Sequence, residues 1–345
     1  MDTKKINIKN LYIEITDKCN FNCIYCYNDS SSKKSESLSV EAYKNFIEIV
    51  KKYNLEDVII SGGEPTLHPQ LSEIFEINHN FGLKQNLITN GTGISTDTLP
   101  EMIAKNLSFS ITIDGHDAAS NDLMRGKNSY SITANAIKLL VKNGLSDRVG
   151  LRCNLHFGNY KEIYSIVSTL NDMGVTNVEF ILLLNMGRAT DIEIIDPVKH
   201  ANILKEIEDN VAKATLDFNI NSTFLYKPSM GCPYESLDKE LSLRIDSQGN
   251  IFPCQTIDDS RFSLGNIYWI SSESLKNNIL DFSTYTASRQ SKMAHCQRCV
   301  YKSACEGSCV ATSLAYCGDP LGIDGACSIR KAGLKKMILK KARSA

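Results

Sequence analysis

Three cysteines spaced C-x3-C-x2-C, Cys19, Cys23 and Cys26 in "CNFNCIYC", are the first residues of this 345-residue chain whose type and spacing point to chemistry. A closed tetrahedral zinc site takes four ligands, and a 4Fe-4S cluster takes four thiolates, one per iron. Three thiols leave one metal position open, and an open position on a redox-active metal is where a substrate or cofactor can bind and react. From spacing alone the plainer alternatives are a zinc knuckle completed from elsewhere, or buried thiols acting as small apolar groups. A second array, "CQRCVYKSACEGSC" at 296–309, reads C-x2-C-x5-C-x3-C, with Cys232, Cys254, Cys317 and Cys327 around it and Cys153 apart. The chain opens with "MDTKKINIKN", which has no apolar export signal. Twelve cysteines in a cytoplasmic chain point to metal or redox chemistry rather than to disulfides.

The elements that must position the first array are repeated β-α units. Short β-branched runs at 11–16, 57–61, 83–89, 107–113, 149–155 and 177–184 alternate with amphipathic stretches near 39–53, 69–80, 97–105, 129–143 and 160–173. This alternation predicts a parallel sheet in an α/β fold, a partial (β/α)6 TIM-like barrel with reactive residues at the C-terminal ends of its strands. Cys19 to Cys26 follow the first strand, Gly62 to Pro65 the second, Asn90 and Gly91 the third, and Asp114 and Gly115 the fourth. All are expected on one rim. A further helix is expected at 197–214, and from Met230 the composition shifts to Cys, Gly and Ser. The division expected is therefore a barrel over 1–190, a linker with a helix over 191–230, a cysteine-rich domain over 231–330 and a basic C-terminal helix over 331–345. The serine-rich loop 29–37 reads either as a lid or as a solvated connection.

Composition narrows the partners. The chain is 42% hydrophobic and 22% charged with a formal net charge of −1, and no block of five like charges occurs. Neither nucleic acid nor a membrane surface is indicated, and no apolar run approaches the roughly 18 residues of a membrane span.

"CNFNCIYC" together with "SGGEPTLHP" at 61–69 resembles the radical S-adenosylmethionine (radical SAM) superfamily. The resemblance implies that Cys19, Cys23 and Cys26 hold a 4Fe-4S cluster whose open iron is chelated by SAM. Reductive cleavage of SAM then yields a 5'-deoxyadenosyl radical that abstracts a hydrogen atom. By the same resemblance Tyr25 meets the adenine, Gly62, Gly63 and Glu64 meet the methionine amino group, and Asn90 lies on the rim. Thr112 in "TIDG" stands where a serine commonly contacts the ribose, Asp114 orients the ribose or ends a strand, and Arg152 pairs with the SAM carboxylate. Met186 in "NMGRA" either approaches the adenine or packs a loop, and His68 receives no chemical role. Cys153 is expected to be a packed thiol inside a strand.

The C-terminal cysteines resemble the SPASM domain, an iron-sulfur extension of radical SAM enzymes that modify peptides; Cys232 precedes Gly249 by a longer gap than is usual there. The resemblance implies two auxiliary 4Fe-4S clusters with crossed ligation, Cys232, Cys254 and Cys309 holding one and Cys296, Cys299, Cys305 and Cys327 the other. Either the first has an open iron, or Cys317 or a non-cysteine group completes it. The catalytic acid or base is not marked. The function expected is a maturase that crosslinks a ribosomally made peptide through a thioether, carbon-carbon or carbon-oxygen bond. Its partners would be a peptide or protein substrate, a reductant such as flavodoxin or ferredoxin, and a separate leader-peptide-binding protein, since only 18 residues precede Cys19. A formylglycine maturase of the anaerobic sulfatase type is the first alternative, weakened by Gln255 where that branch has an Asp; a small-molecule radical SAM dehydrogenase is the second. From another class, a zinc or electron-transfer protein would be indifferent to SAM.

Overall fold

The computed structural model describes residues 6–156, 159–183, 186–191, 199, 202, 219–222, 232–305, 307–325 and 327–344. Six parallel strands stand side by side in chain order: β1 (Ile8–Glu14), β2 (Asp57–Ser61), β3 (Lys84–Thr89), β4 (Ser108–Thr112), β5 (Val149–Leu155) and β6 (Asn177–Leu182). Helices α1 (Val40–Val50), α2 (Leu71–Asn80), α3 (Leu99–Ala104), α4 (Ala118–Arg125), α5 (Ser129–Lys142) and α6 (Ile163–Asp172) connect them, as a parallel sheet requires. The pattern matches the expected partial barrel. The helix α4 is an addition, set by Asp117, whose carboxylate accepts from the Ser120 N–H at 2.8 Å, and ended by Gly126 at φ 101°.

Alternation along the strands separates a dry face from a polar one. On β5, Val149, Leu151, Cys153 and Leu155 are buried, while Arg152 and Asn154 take the other face. On α1 the buried side chains are Val40, Tyr43, Phe46, Ile47 and Val50, a stripe of helical period, and each contributes about 1.5–3 kcal/mol on burial. These stripes meet the outer faces of the strands in one core. The inner face is left for polar residues, among them Tyr12 and Glu14 of β1.

The cysteine-rich region is tied into the same sheet. β7 (Asn219–Ser222) adds in parallel to β6, and β8 (Leu241–Ile245) adds in parallel to β1, followed by antiparallel β9 (Asn250–Phe252) and β10 (Gly265–Asn266). Pairing with β8 explains why β1 begins at Ile8 rather than at residue 11. Arg244 of β8 clamps Glu14 of β1 through Nε at 2.9 Å and Nη2 at 3.0 Å, with both side chains buried. Helices α7 (Ser272–Lys292), α8 (Ala294–Gln297), α9 (Val310–Cys317) and α10 (Cys327–Ser344) complete the region. The helix expected at 197–214 lies almost wholly outside the described residues. Among the described residues no helix is long and apolar enough to cross a membrane.

Candidate active site

The loop after β1 brings Cys19, Cys23 and Cys26 to the C-terminal ends of the strands, around a cavity of about 290 Å³. Its backbone is fastened to neighbouring elements: the Cys19 N–H donates to the Ser31 carbonyl (3.1 Å), Ile24 N–H to Met124 (2.9 Å), Gly63 N–H to Thr16 (2.7 Å) and Glu64 N–H to Lys18 (2.9 Å). The last two bonds press the Gly62-Gly63 turn against the entry of the cysteine loop. A Cβ on Gly62 would run into the Thr16 carbonyl, one on Gly63 into that of Lys18, and Gly62 has φ +142°, so both positions require glycine. Tyr25, Gly62, Gly63, Asn90, Thr112, Arg152 and Met186 all line the same cavity.

Glu64 and Asp114 stand behind the wall instead. The Glu64 carboxylate is fully buried and accepts from Thr66 N (3.2 Å), Thr66 Oγ1 (2.6 Å), Thr89 Oγ1 (2.7 Å) and Asn90 N (2.7 Å). It ties the β2 turn to the end of β3. Burial raises its pKa, and these four donors pull the other way. Asp114 accepts from Asn154 N (2.8 Å) and from the Tyr25 hydroxyl, with Arg125 Nη1 at 3.6 Å. Thr112 and Arg152 face each other across β4 and β5, and Arg152 Nε donates to Glu179 at 3.2 Å.

Several residues that the spacing of the sequence did not mark shape this site. Arg125, buried at the end of α4, donates to the Tyr25 hydroxyl (2.9 Å), and its carbonyl lies 3.9 Å from Cys23 Sγ. Burial alone would lower its pKa, but Tyr25, Cys23 and Asp114 hold it raised. Arg188 straps the loop from the far side: its Nε donates to the Cys23 carbonyl (2.9 Å), its Nη1 to Asp29 (2.7 Å), and its N–H to the Cys26 carbonyl (3.0 Å). Arg188 Nη2 and Ser30 Oγ, on residues that both line the cavity, are buried without a protein partner. The third group is a hydroxyl chain on the wall next to β8. Tyr12 donates to Ser61 (2.7 Å) and contacts Tyr27 (2.8 Å), which donates to Glu14 (2.9 Å), while Gln255 and Thr256 close that side. A signal for it existed, because "LYIE" puts polar atoms at alternate positions of an otherwise apolar strand.

The remaining thiols fall into two groups. Cys232, Cys254 and Cys309 act electrostatically on one another, and burial raises the pKa of Cys232 and Cys254. Cys296, Cys299, Cys305 and Cys327 line a separate cavity of about 30 Å³. Cys317 is exposed at the far end of α9, its thiol donating to the Ser313 carbonyl at 3.2 Å. Cys153 is fully buried in β5.

The strand-end residues fit a metal cluster with a ligand beside it. Among the described residues no three His, Cys, Asp or Glu side chains converge as a single-ion site would need. The three strand-end thiols instead surround room for a polyatomic group, with Ser30 Oγ, Arg125 Nε and Arg188 Nη2 on lining residues left without a hydrogen-bond partner among the described residues. Burial pushes the Cys19 thiol up to about 12 and raises that of Cys23, so a metal must displace protons to bind there.

Residues 13–170 match the family model described as the Radical SAM superfamily, and they span the cysteine loop, the Gly62-Gly63 turn and strands β2 to β5. The subtilosin biosynthesis protein AlbA of Bacillus subtilis (strain 168) is 27% identical over 85% of this chain, and the chain spans 65% of that protein's length. The AdoMet-dependent heme synthase of Methanosarcina barkeri is 24% identical over 92% of this chain and 95% of that protein. Among solved structures, Streptococcus suis SuiB bound to S-adenosylmethionine superposes with a TM-score of 0.75 at 15% identity, over 92% of this chain and 76% of that one. Residues 13–170, a little under half of the chain, therefore form a radical SAM domain, and the chain is an enzyme. S-adenosylmethionine and a 4Fe-4S cluster are the cofactors of that domain.

Proposed function

We propose that the chain is a peptide maturase that uses the 5'-deoxyadenosyl radical to install a crosslink on a ribosomally made peptide. The observation that carries this is the convergence of Cys19, Cys23, Cys26 and the Gly62-Gly63 edge on one cavity that Gln255 and Thr256 of the C-terminal region also line. The likeness to the subtilosin protein, and to SuiB, also solved bound to precursor peptide SuiA, supports a peptide as the substrate.

In this reading Cys19, Cys23 and Cys26 hold the cluster, and SAM lies along Tyr25, Gly62, Gly63, Asn90, Thr112 and Arg152. The bound group supplies a carbon radical able to abstract hydrogen from an unactivated C–H bond. The protein's part is positioning and exclusion of water. Arg125 and Asp114 hold Tyr25, Glu64 holds the β2 turn and Asn90, and Arg188 holds the loop. The Gln255 amide cannot take a proton as a carboxylate would, and behind that wall the Glu14 carboxylate is held by Arg244 and the Tyr27 hydroxyl. Cys232, Cys254 and Cys309 hold one auxiliary cluster, and Cys296, Cys299, Cys305 and Cys327 the other, within a domain spanning about 231–330. A reductant such as flavodoxin or ferredoxin, and a cytoplasmic setting, complete the proposal.

The heme synthase, matched over nearly its whole length, favours a second reading with a small-molecule substrate. The test is anaerobic turnover of reconstituted, dithionite-reduced enzyme with SAM and the short peptides encoded beside its gene. Release of 5'-deoxyadenosine with a peptide product lighter by two hydrogens is expected. Release that no such peptide accelerates, but a porphyrin precursor does, would replace the peptide reading by the small-molecule one.

A further inference from the structure

The net charge of −1 conceals a strong separation of charge. Residues 289–345 hold eleven Lys and Arg against three Asp and Glu, a net of +8, which leaves −9 on residues 1–288. This basic segment encloses the four thiols Cys296, Cys299, Cys305 and Cys327. Lys302, Arg330 and Lys331 line their cavity, with Arg298 exposed between two of the cysteines and Lys335 exposed one turn beyond Lys331 on α10. Arg330 is offset by Asp324, its Nη1 lying 2.9 Å from the carboxylate. Among the described residues no carboxylate pairs with Arg298, Lys331 or Lys335, so this face presents uncompensated positive charge.

We infer that this face docks an acidic one-electron carrier protein, an inference that rests on the radical SAM reading above. Reductive cleavage of SAM consumes one electron, which for the first turnover comes from outside the chain, and forming a product lighter by two hydrogens releases one electron that a carrier can take up. The cavity among the four thiols is small, about 30 Å³ against about 290 Å³ at the strand ends, and offers a peptide no groove. Recognition is therefore of surface by surface. Val300, between Cys299 and Tyr301 and two residues from Arg298, is 86% exposed. An apolar spot rimmed by one sign of charge suits a small, transient contact that forms quickly and releases quickly. It also puts the carrier beside a four-thiol donor set that sits near the surface, where a redox group can be reached.

The experiment uses the reconstituted full chain and a purified acidic flavodoxin in two parallel measurements, binding of the oxidised carrier by calorimetry and 5'-deoxyadenosine release driven by the reduced carrier. The variant Arg298→Glu/Lys335→Glu changes two exposed side chains, with Arg298→Gln/Lys335→Gln as an intermediate. At about 50 mM salt the double reversal is expected to weaken binding and carrier-driven kcat/KM by roughly tenfold to a hundredfold, the neutral variant by less, while dithionite-driven release stays within about twofold. Raising the salt should bring wild type down to the variant's level. Equal carrier binding by wild type and variant would overturn the inference, whether or not SAM is cleaved. An equal loss with dithionite and with carrier, a raised KM for peptide under dithionite, or binding of anionic vesicles but not of flavodoxin, would overturn it as well. Absence of 5'-deoxyadenosine with either reductant, alongside salt-sensitive carrier binding, would leave the docking face standing and sink the radical SAM reading.

Discussion

The strand-end site and the four-thiol site differ in how they hold cysteine. At the strand ends the thiols sit on a loop bonded to α4, the β2 turn and the segment after β6, around about 290 Å³. In the C-terminal region the thiols sit on α8, on the segment that follows it and on the first residue of α10, around about 30 Å³, with all four partly exposed. The first arrangement leaves space for a ligand next to the metal, and the second closes on its contents. The same side chain thus serves as an open site or a closed one, and the backbone that carries it decides which.

The largest expected effect separates the two. Cys26→Ala should reduce 5'-deoxyadenosine release to background, because it removes one of only three thiols. Cys299→Ala should keep SAM cleavage within about tenfold of wild type while abolishing the modified product, since it leaves every strand-end contact in place. Product analysis by mass spectrometry alongside 5'-deoxyadenosine quantification checks both. If Cys299→Ala were equally dead in SAM cleavage, the two sites would be one functional unit and the contrast would fall.

The next effect is at the joint between the regions. Arg244→Met would strand the Glu14 carboxylate in a buried position, against which Arg244 now places two guanidinium nitrogens at 2.9 and 3.0 Å. Breaking one side of such a buried pair costs about 3–5 kcal/mol, measurable as a lowered denaturant midpoint. The double variant Arg244→Met/Glu14→Leu should recover much of that loss. Failure to recover it would mean that the pair matters through the Tyr27 chain or Asp258 rather than through its own charge balance.

A smaller effect is the acid sensitivity of the strand-end region. His68 follows the Gly62-Gly63 turn, donates from Nε2 to the Leu38 carbonyl (3.0 Å) and accepts at Nδ1 from the Gln70 N–H (3.1 Å), which requires the neutral ring. Burial holds its folded pKa below the usual 6.5. The unfolded chain therefore binds more protons in that window, so the stability His68 contributes is complete above about pH 6.5 and falls as the pH drops toward the folded value. The slope from one such group is at most about 1.4 kcal/mol per pH unit. Hydrogen exchange at residues 62–70 from pH 8 to pH 5.5 should show this loss, and His68→Gln should flatten it. An unchanged profile in the variant would move the acid sensitivity to other groups.

Much of the strand-end site was legible because its evidence is local. Thiols at C-x3-C-x2-C and a double glycine after the next strand carry their chemistry in adjacent residues. Arg125 and Arg188 were not legible, because each reaches the cysteine loop across more than 90 residues and nothing in "LMRGK" or "NMGRA" distinguishes a buried guanidinium from a solvated one. The start of β1 was missed for a related reason: Ile8 to Asn10 are held by β8, more than 230 residues later. The short helix α4 lacked a full apolar stripe, although Asp117 and Gly126 marked its ends. The basic face was present in the sequence all along, hidden in a sum that came to −1.

The smallest expected effect concerns Cys317 and is the most discriminating for the C-terminal region. Cys309 caps the start of α9 and Cys317 is its last residue, eight residues on, so their Cα atoms lie about 12 Å apart along the helix axis. The Cys317 thiol is moreover exposed and already donates to the Ser313 carbonyl. Cys317→Ser should therefore leave iron content unchanged, activity within about twofold and stability within about 0.5 kcal/mol. Against it, Cys254→Ser should lower the iron bound per chain, because Cys254 meets Cys232 and Cys309 and has no substitute. Loss of iron in Cys317→Ser would require α9 to unwind around a fourth ligand, and the three-thiol group would then be a closed site like its neighbour.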